Sequence, residues 1–179
     1  MHTIDTLRER WREQLDEAGL PGPALGFDRV RQALLLCQRE VLAPTMMAIH
    51  WTDVSVDIEP SVVQLLVAQR IDESVRTYDT VFLLGDYVAV LLPDAREESA
   101  RIVASRLMQQ LRKPYQHGLG EVTLVPCGGV SVASPGDDCP GVMELWSDAV
   151  LAMEHARTNG GDFAAGPSDS SQELLQSME

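Results

Sequence analysis

A few residues in this sequence have the types and spacing that could do chemistry. Asp86 follows Gly85 between two apolar runs, Thr80-Val-Phe-Leu-Leu84 and Tyr87-Val-Ala-Val-Leu-Leu92. A carboxylate at such a tip reads most simply as a turn residue. His50 lies near the end of another apolar run, Met46-Met-Ala-Ile-His-Trp51. No second His or Cys stands at ligand spacing from it, so it reads as a hydrogen-bonded core or edge histidine rather than a zinc ligand. Gly128-Gly129 has the look of a phosphate loop, but no Lys-Ser/Thr follows, and a β-bulge is the better expectation. Ser131 lies in Gly129-Val-Ser131-Val-Ala133, which ends in alanine where a nucleophile elbow needs glycine. Asp137-Asp138 reads as a solvated loop. Cys37, Cys127 and Cys139 have no CxxC spacing, and an odd number of thiols reads as structural or incidental cysteines in a reducing compartment.

The element that presents Asp86 is a hairpin. Gly-X is the pair preferred by a two-residue turn between antiparallel strands, because glycine takes φ > 0 without penalty. Both flanking runs are almost wholly apolar, so both strands are expected to be covered on two faces. Pro93 ends the second run, since it cannot donate to a ladder.

The rest of the chain supplies supports for that hairpin. Ile4, Leu7, Trp11, Leu15 and Ala18 form a helical stripe that Gly19 and Pro21-Gly22-Pro23 terminate. This stripe docks on its own domain or forms a dimer stalk, and docking is favoured. A helix is expected from Phe27 to Leu42, with Phe27, Val30, Ala33, Leu34, Cys37 and Val41 inward. A strand follows at Met46–Trp51. Pro60 opens a helix that runs to about Tyr78 on Val62, Val63, Leu66, Val67, Arg70, Ile71 and Val75. After the hairpin, Asp94 caps a helix from Ala95 to Arg112 on Ala100, Ile102, Val103, Leu107 and Leu111. Glu121 to Ala133 is a strand interrupted by Pro126 and the two glycines. Met143 to Thr158 is a helix, and Asp162–Ala165 a short edge strand. Residues 167–179 form a polar tail without lysine or arginine, where Ser170 and Glu173 could make a capping box.

Around the hairpin the order is strand, helix, hairpin, helix, strand. That is the split βαβ pattern of palm and ferredoxin-like folds. The expected class is α+β, with a central, mostly antiparallel sheet flanked by helices and an extra N-terminal helix over residues 1–18. Residues 19–166 form the domain and 167–179 a flexible acidic tail.

Composition bounds the partners. The net charge of −13 argues against nonspecific nucleic-acid or anionic-membrane binding. No apolar run reaches the length of a membrane span, and the N-terminus lacks the order of a secretion signal. A cytoplasmic location is the expectation.

In this order, the chain from Asp16 to Gly166 resembles a GGDEF domain, the diguanylate cyclase family. Asp16-Glu-Ala-Gly19-Leu20-Pro21 followed by Phe27 is similar to the family's opening. Ala68-Gln-Arg70-Ile-Asp-Glu-Ser-Val75-Arg76-Thr-Tyr-Asp79 resembles its approach to the signature hairpin. Gly85-Asp86 with Ala89-Val-Leu-Leu-Pro93 resembles the signature and its second strand, and Ala152-Met153, Ala156-Arg157 and Gly160 the last helix. The resemblance implies a palm-like fold and, in active members, synthesis of cyclic di-GMP from two GTP with Mg²⁺.

The catalytic positions depart from that pattern. The signature is replaced by Leu84-Gly85-Asp86-Tyr87-Val88, and the stretch from Asp79 to Gly85 is one residue shorter. By the resemblance, Leu84 replaces a glycine that leaves room for phosphates, Asp86 stands where a metal-binding carboxylate would be, and Tyr87 replaces the neighbouring Glu. His50 falls where a second metal-binding Asp stands, Ser61 where an Asp reads guanine, Arg157 where a Lys binds phosphate, and Gly161 where an Arg follows. Mg²⁺ wants oxygen ligands, for which imidazole is a poor substitute. No catalytic residues, metal or cofactor are assigned. Arg76-Thr-Tyr-Asp79 stands where active members carry the Arg-x-x-Asp that binds cyclic di-GMP as inhibitor. Arg76 and Asp79 also suit a surface ion pair.

The expected function is a catalytically inactive regulatory domain in bacterial signalling that acts through a protein partner, with a homodimer as one form of assembly. The alternatives are a cyclic di-GMP effector acting through Arg76 and Asp79, and a divergent nucleotide-binding cyclase-like protein resting on Asp86 and Arg157.

Overall fold

A computed structural model describes residues 20–166 of the chain. The stripe bearing Trp11 and the tail with its capping box lie outside the described residues. The elements are α1 (Pro23–Gln38), β1 (Thr45–Thr52), α2 (Pro60–Ser74), β2 (Thr80–Leu84), β3 (Tyr87–Leu92), α3 (Glu97–Leu111), β4 (Tyr115–His117), β5 (Gly120–Val122), β6 (Val125–Val132), α4 (Val142–Thr158) and β7 (Phe163–Ala165).

Five strands make one sheet in the order β2-β3-β1-β6-β7, and β4 pairs with β5 in a separate hairpin. All pairings in the large sheet are antiparallel except β6 with β7. The sheet is apolar on both faces because helices cover both. Alternation along β1 sends Met47 and Ile49 to one face, where Val63, Val67 and Ile71 of α2 and Leu107 and Met108 of α3 pack. Met46 and Ala48 face the other way, against Val30 and Leu34 of α1 and Leu145 and Met153 of α4. This is the expected α+β architecture, with a central, mostly antiparallel sheet between helices.

Several boundaries differ from the sequence reading. α1 begins at Pro23, not Phe27, because proline lacks only an N–H that a first helical turn leaves unpaired anyway. It ends at Gln38, so Val41 is 62% exposed rather than inward. α2 ends at Ser74 instead of Tyr78, since Val75 is already extended. α3 starts at Glu97, and Asp94 does not cap it. The Asp94 carboxylate accepts from the Ala43 N–H at 3.2 Å, tying the start of α3 to the entrance of β1. On α3, Ile102 is 63% exposed, and Ala104 and Met108 are buried. The expected strand from Glu121 to Ala133 divides into β5 and β6, and β5 turns back on β4.

Gly128-Gly129 is not a bulge. The register of β6 with β1 runs unbroken through Ile49 opposite Gly128 and Ala48 opposite Gly129. The reason for glycine at 129 is proximity. A Cβ there would lie 1.9 Å from the Ala149 carbonyl oxygen and 2.3 Å from the Met153 nitrogen, so α4 rests its backbone directly on the strand.

Arg70 is a strut rather than part of an apolar stripe. Its guanidinium donates to the carbonyls of Gln110 (3.3 Å), Lys113 and Pro114 (2.8 Å), and lies 3.4 Å from the Tyr115 ring centre. A cation is thereby placed at the C-terminal end of α3, where the helix dipole favours it.

Candidate functional site at the hairpin turn

β2 and β3 meet at Gly85-Asp86 in the expected register, Leu84 opposite Tyr87. Gly85 takes a φ of +57° and makes the turn possible. Asp86 is exposed at the tip. The turn is fastened from outside the hairpin. The Gln64 side chain on α2 donates from Nε2 to the carbonyls of Gly85 at 2.8 Å and Tyr87 at 3.0 Å.

Beside the turn is a cleft of about 450 Å³ whose polar walls come from His50, Asp57, Ser61, Gln64 and Asp86, with Trp51 among the apolar ones. It opens where β1 outruns β3, since their pairing stops at Ile49 opposite Val88. The start of α2 forms the opposite wall and carries Ser61. The fold thus brings His50, Ser61 and Asp86 to one place from three separate segments. Leu84 and Tyr87 do not wall this cleft. They pack half-buried against the core under α1 and α4.

His50 departs from its expected setting. Its ring stacks on Trp51, with centroids 5.4 Å apart and planes 16° apart, and lies 5.5 Å from the Tyr87 ring. Tyr87 in turn meets Trp146 edge-on at 5.9 Å. Nδ1 of His50 is buried and has no hydrogen-bond partner among the described residues, so an aromatic row holds the side chain. Burial pulls its pKa below the usual 6.5. Arg157 pushes the same way, and Glu154 and Asp86 oppose it. The neutral ring is the stable form there.

Arg157 reaches across to Glu154 on its own helix, with Nε 2.9 Å and an Nη 2.5 Å from the same carboxylate oxygen. Its successor at position 161 is glycine, at the turn after α4. Among the described residues no group of three or more His, Cys, Asp or Glu converges as a metal centre would require. A Mg²⁺ site needs oxygens in near-octahedral array. The cleft supplies two exposed carboxylates, Asp57 and Asp86, and an imidazole committed to a ring stack. These residues do not fit such a centre.

Arg76 and Asp79 are close, but not as an ion pair of side chains. They close the turn between α2 and β2. The Arg76 backbone N–H donates to the Asp79 carboxylate at 2.8 Å, and the Asp79 N–H donates to the Arg76 carbonyl at 3.0 Å. The Arg76 guanidinium is exposed and bonds the Tyr78 hydroxyl. Burial raises the Asp79 pKa against the opposing pull of its bond to Arg76 and of the Arg76 and Arg106 charges.

Gln64, Trp51 and Asp57 are the site residues that sequence reasoning missed. Gln64 had a signal in its position, on α2 beside the apolar stripe and one turn in from Pro60. Trp51 and Asp57 had none, because only the divergence of β1 from β3 makes them walls.

No family model matches the chain. It is 36% identical over 115 residues to the bifunctional diguanylate cyclase/cyclic di-GMP phosphodiesterase MucR of Pseudomonas aeruginosa, a match covering 62% of this chain and 16% of MucR. The chain therefore spans about one sixth of the length of that curated relative. Among solved structures it is similar to the isolated GGDEF domain of TpbB (also YfiN) from P. aeruginosa, with a TM-score of 0.71 at 20% identity, over 90% of this chain and 99% of that one. It is also similar to the diguanylate cyclase SiaD of P. aeruginosa, solved with its activator SiaC. There the TM-score is 0.70 at 20% identity, over 90% of this chain and 65% of that one. These likenesses make the chain a GGDEF-like domain in fold.

Proposed function

We propose that this domain is catalytically silent and works in bacterial cyclic di-GMP signalling by binding a protein partner. One observation carries the reading. The cleft at the hairpin turn gathers the positions that the family resemblance marks for metal and guanine, and the side chains there are His50, Ser61 and Asp86. Phosphoryl transfer depends on positioning and charge neutralisation. The charged residues walling this cleft are Asp57 and Asp86, which repel a triphosphate. Arg157, at the family's phosphate-binding position, is engaged by Glu154.

A protein partner is the use we assign to such a domain. The similar cyclase SiaD is itself solved with a protein activator. The net charge of −13 favours a partner with a basic surface. The testing experiment incubates purified protein with GTP and Mg²⁺ and separates the nucleotides by chromatography. The expected result is unchanged GTP; accumulation of cyclic di-GMP overturns the proposal.

A second reading has its own observation. The Arg76 guanidinium is exposed and bonds the Tyr78 hydroxyl rather than Asp79, and exchanging that one bond would let it grip a guanine edge or a phosphate of cyclic di-GMP. Calorimetric titration with cyclic di-GMP tests it, and a silent titration removes it.

A further inference from the structure

Cys37 and Cys139 come together behind the sheet, far from the hairpin cleft. Cys37 is fully buried in the last turn of α1. Cys139 follows the short 3-10 turn Gly136–Asp138 and is half-buried. The contacts interlock. Sγ of Cys139 is 3.6 Å from the carbonyl oxygen of Leu34, one turn before Cys37 on the same helix. Sγ of Cys37 is 3.5 Å from the carbonyl oxygen of Ser134, on the loop that leads to Cys139. Each sulfur thus sits against the segment that carries the other. The loop is pressed onto the segment just after α1, since a Cβ at Gly136 would lie 3.0 Å from the Glu40 carboxylate. Cys127 is elsewhere, buried in β6 with its sulfur 3.6 Å from that of Met153.

We propose that Cys37 and Cys139 form an oxidisable dithiol, a reversible modification site whose co-reactant is a low-molecular-weight disulfide such as oxidised glutathione. The more accessible Cys139 reacts first. Its thiolate attacks one sulfur of glutathione disulfide, breaking that bond, releasing one glutathione thiolate and leaving a mixed disulfide on Cys139. Cys37 then loses its proton to solvent and attacks Sγ of Cys139, expelling the second glutathione. Two protein thiols are oxidised to one disulfide, and one glutathione disulfide is reduced to two thiols. Burial, and then the neighbouring Cys139, push the Cys37 thiol up to about 11, which suits it to the resolving role rather than the first attack. The two segments already touch through these sulfurs, and a disulfide needs them brought to about 2.05 Å. The bond would staple the end of α1 to the loop before α4, the two helices that cover one face of the sheet.

The test treats the full chain with oxidised glutathione, blocks remaining thiols after unfolding, and maps disulfides by peptide mass spectrometry. The expected product is a Cys37–Cys139 bond with Cys127 blocked, reversed by dithiothreitol. The oxidised protein should melt roughly 5–10 °C higher, as closing a long loop implies. Cys37→Ser should stop at one glutathionyl group on Cys139, and Cys139→Ser should take none. Three blocked cysteines after treatment, a bond to Cys127, or a mixed disulfide that persists in the wild type would each overturn the proposal.

Discussion

Gln64 donates its side-chain amide to the carbonyl of Gly85 at 2.8 Å, and the same nitrogen reaches the carbonyl of Tyr87 at 3.0 Å. One side chain of α2 therefore holds both sides of the turn that displays Asp86 and ties that turn to the helix on the cleft's opposite wall. Gln64→Ala should cost about 1–2 kcal/mol for the two lost hydrogen bonds. Urea unfolding should show a lower midpoint with an unchanged slope, and hydrogen exchange should quicken in the paired strands next to the turn, at Leu84 and Tyr87 first. Gln64→Glu should do no better, since an ionised carboxylate has no proton to donate.

The contact of α4 with β6 is the least forgiving in the domain. Gly129→Ala places a methyl group 1.9 Å from a backbone oxygen, where nothing flexible can yield. The expected cost is about 3 kcal/mol or more. Gly120→Ala, at a position with nothing within 4 Å of the added carbon, should stay within about 0.5 kcal/mol. Equal losses in the two variants would contradict this account of the packing.

His50 should make the domain acid-sensitive. Its folded pKa lies below 6.5, so the folded state binds the proton less readily than the unfolded chain. The contribution of His50 is intact above pH 6.5 and is lost as the pH falls from there toward the folded pKa. His50→Phe keeps a ring beside Trp51 and removes the titration. Its stability should fall less steeply from pH 7 to pH 5 than that of the wild type. The difference in slope is bounded by one proton, about 1.4 kcal/mol per pH unit. Parallel profiles would show that His50 does not titrate in this range.

Arg76 and Asp79 should separate in their effects. Asp79→Ala removes the acceptor that closes the turn before β2 and should cost about 1 kcal/mol, with or without ligand. Arg76→Ala leaves the backbone bonds intact and should change stability by less than about 0.5 kcal/mol. If the domain binds cyclic di-GMP, calorimetry should show that binding disappear in Arg76→Ala while the melting curve holds. A variant that loses stability and binding together would assign Arg76 to the fold.

The hairpin, the two-sided sheet and the order of helices follow from local chemistry. Apolar runs of strand length around Gly85-Asp86 have one good use, and Pro60 marks a helix start wherever the chain goes next. The neighbourhood of Asp86 was legible for the same reason, because a turn residue's exposure depends on its own few neighbours. His50, Ser61 and Asp86 as one site were legible only through the family resemblance.

Long-range encounters decided the rest. Gly129 reads as a bulge until the backbone of α4 is found resting on it. Asp94 reads as a helix cap until the Ala43 N–H arrives from another segment. Arg70 reads as part of a helical stripe until the end of α3 offers it carbonyls. Cys37 and Cys139 read as unrelated thiols until the loop before α4 folds onto α1. In each case local sequence specifies what a residue can bond or bury. The partner comes from a distant segment, and packing chooses it by burying apolar area and leaving no polar group stranded.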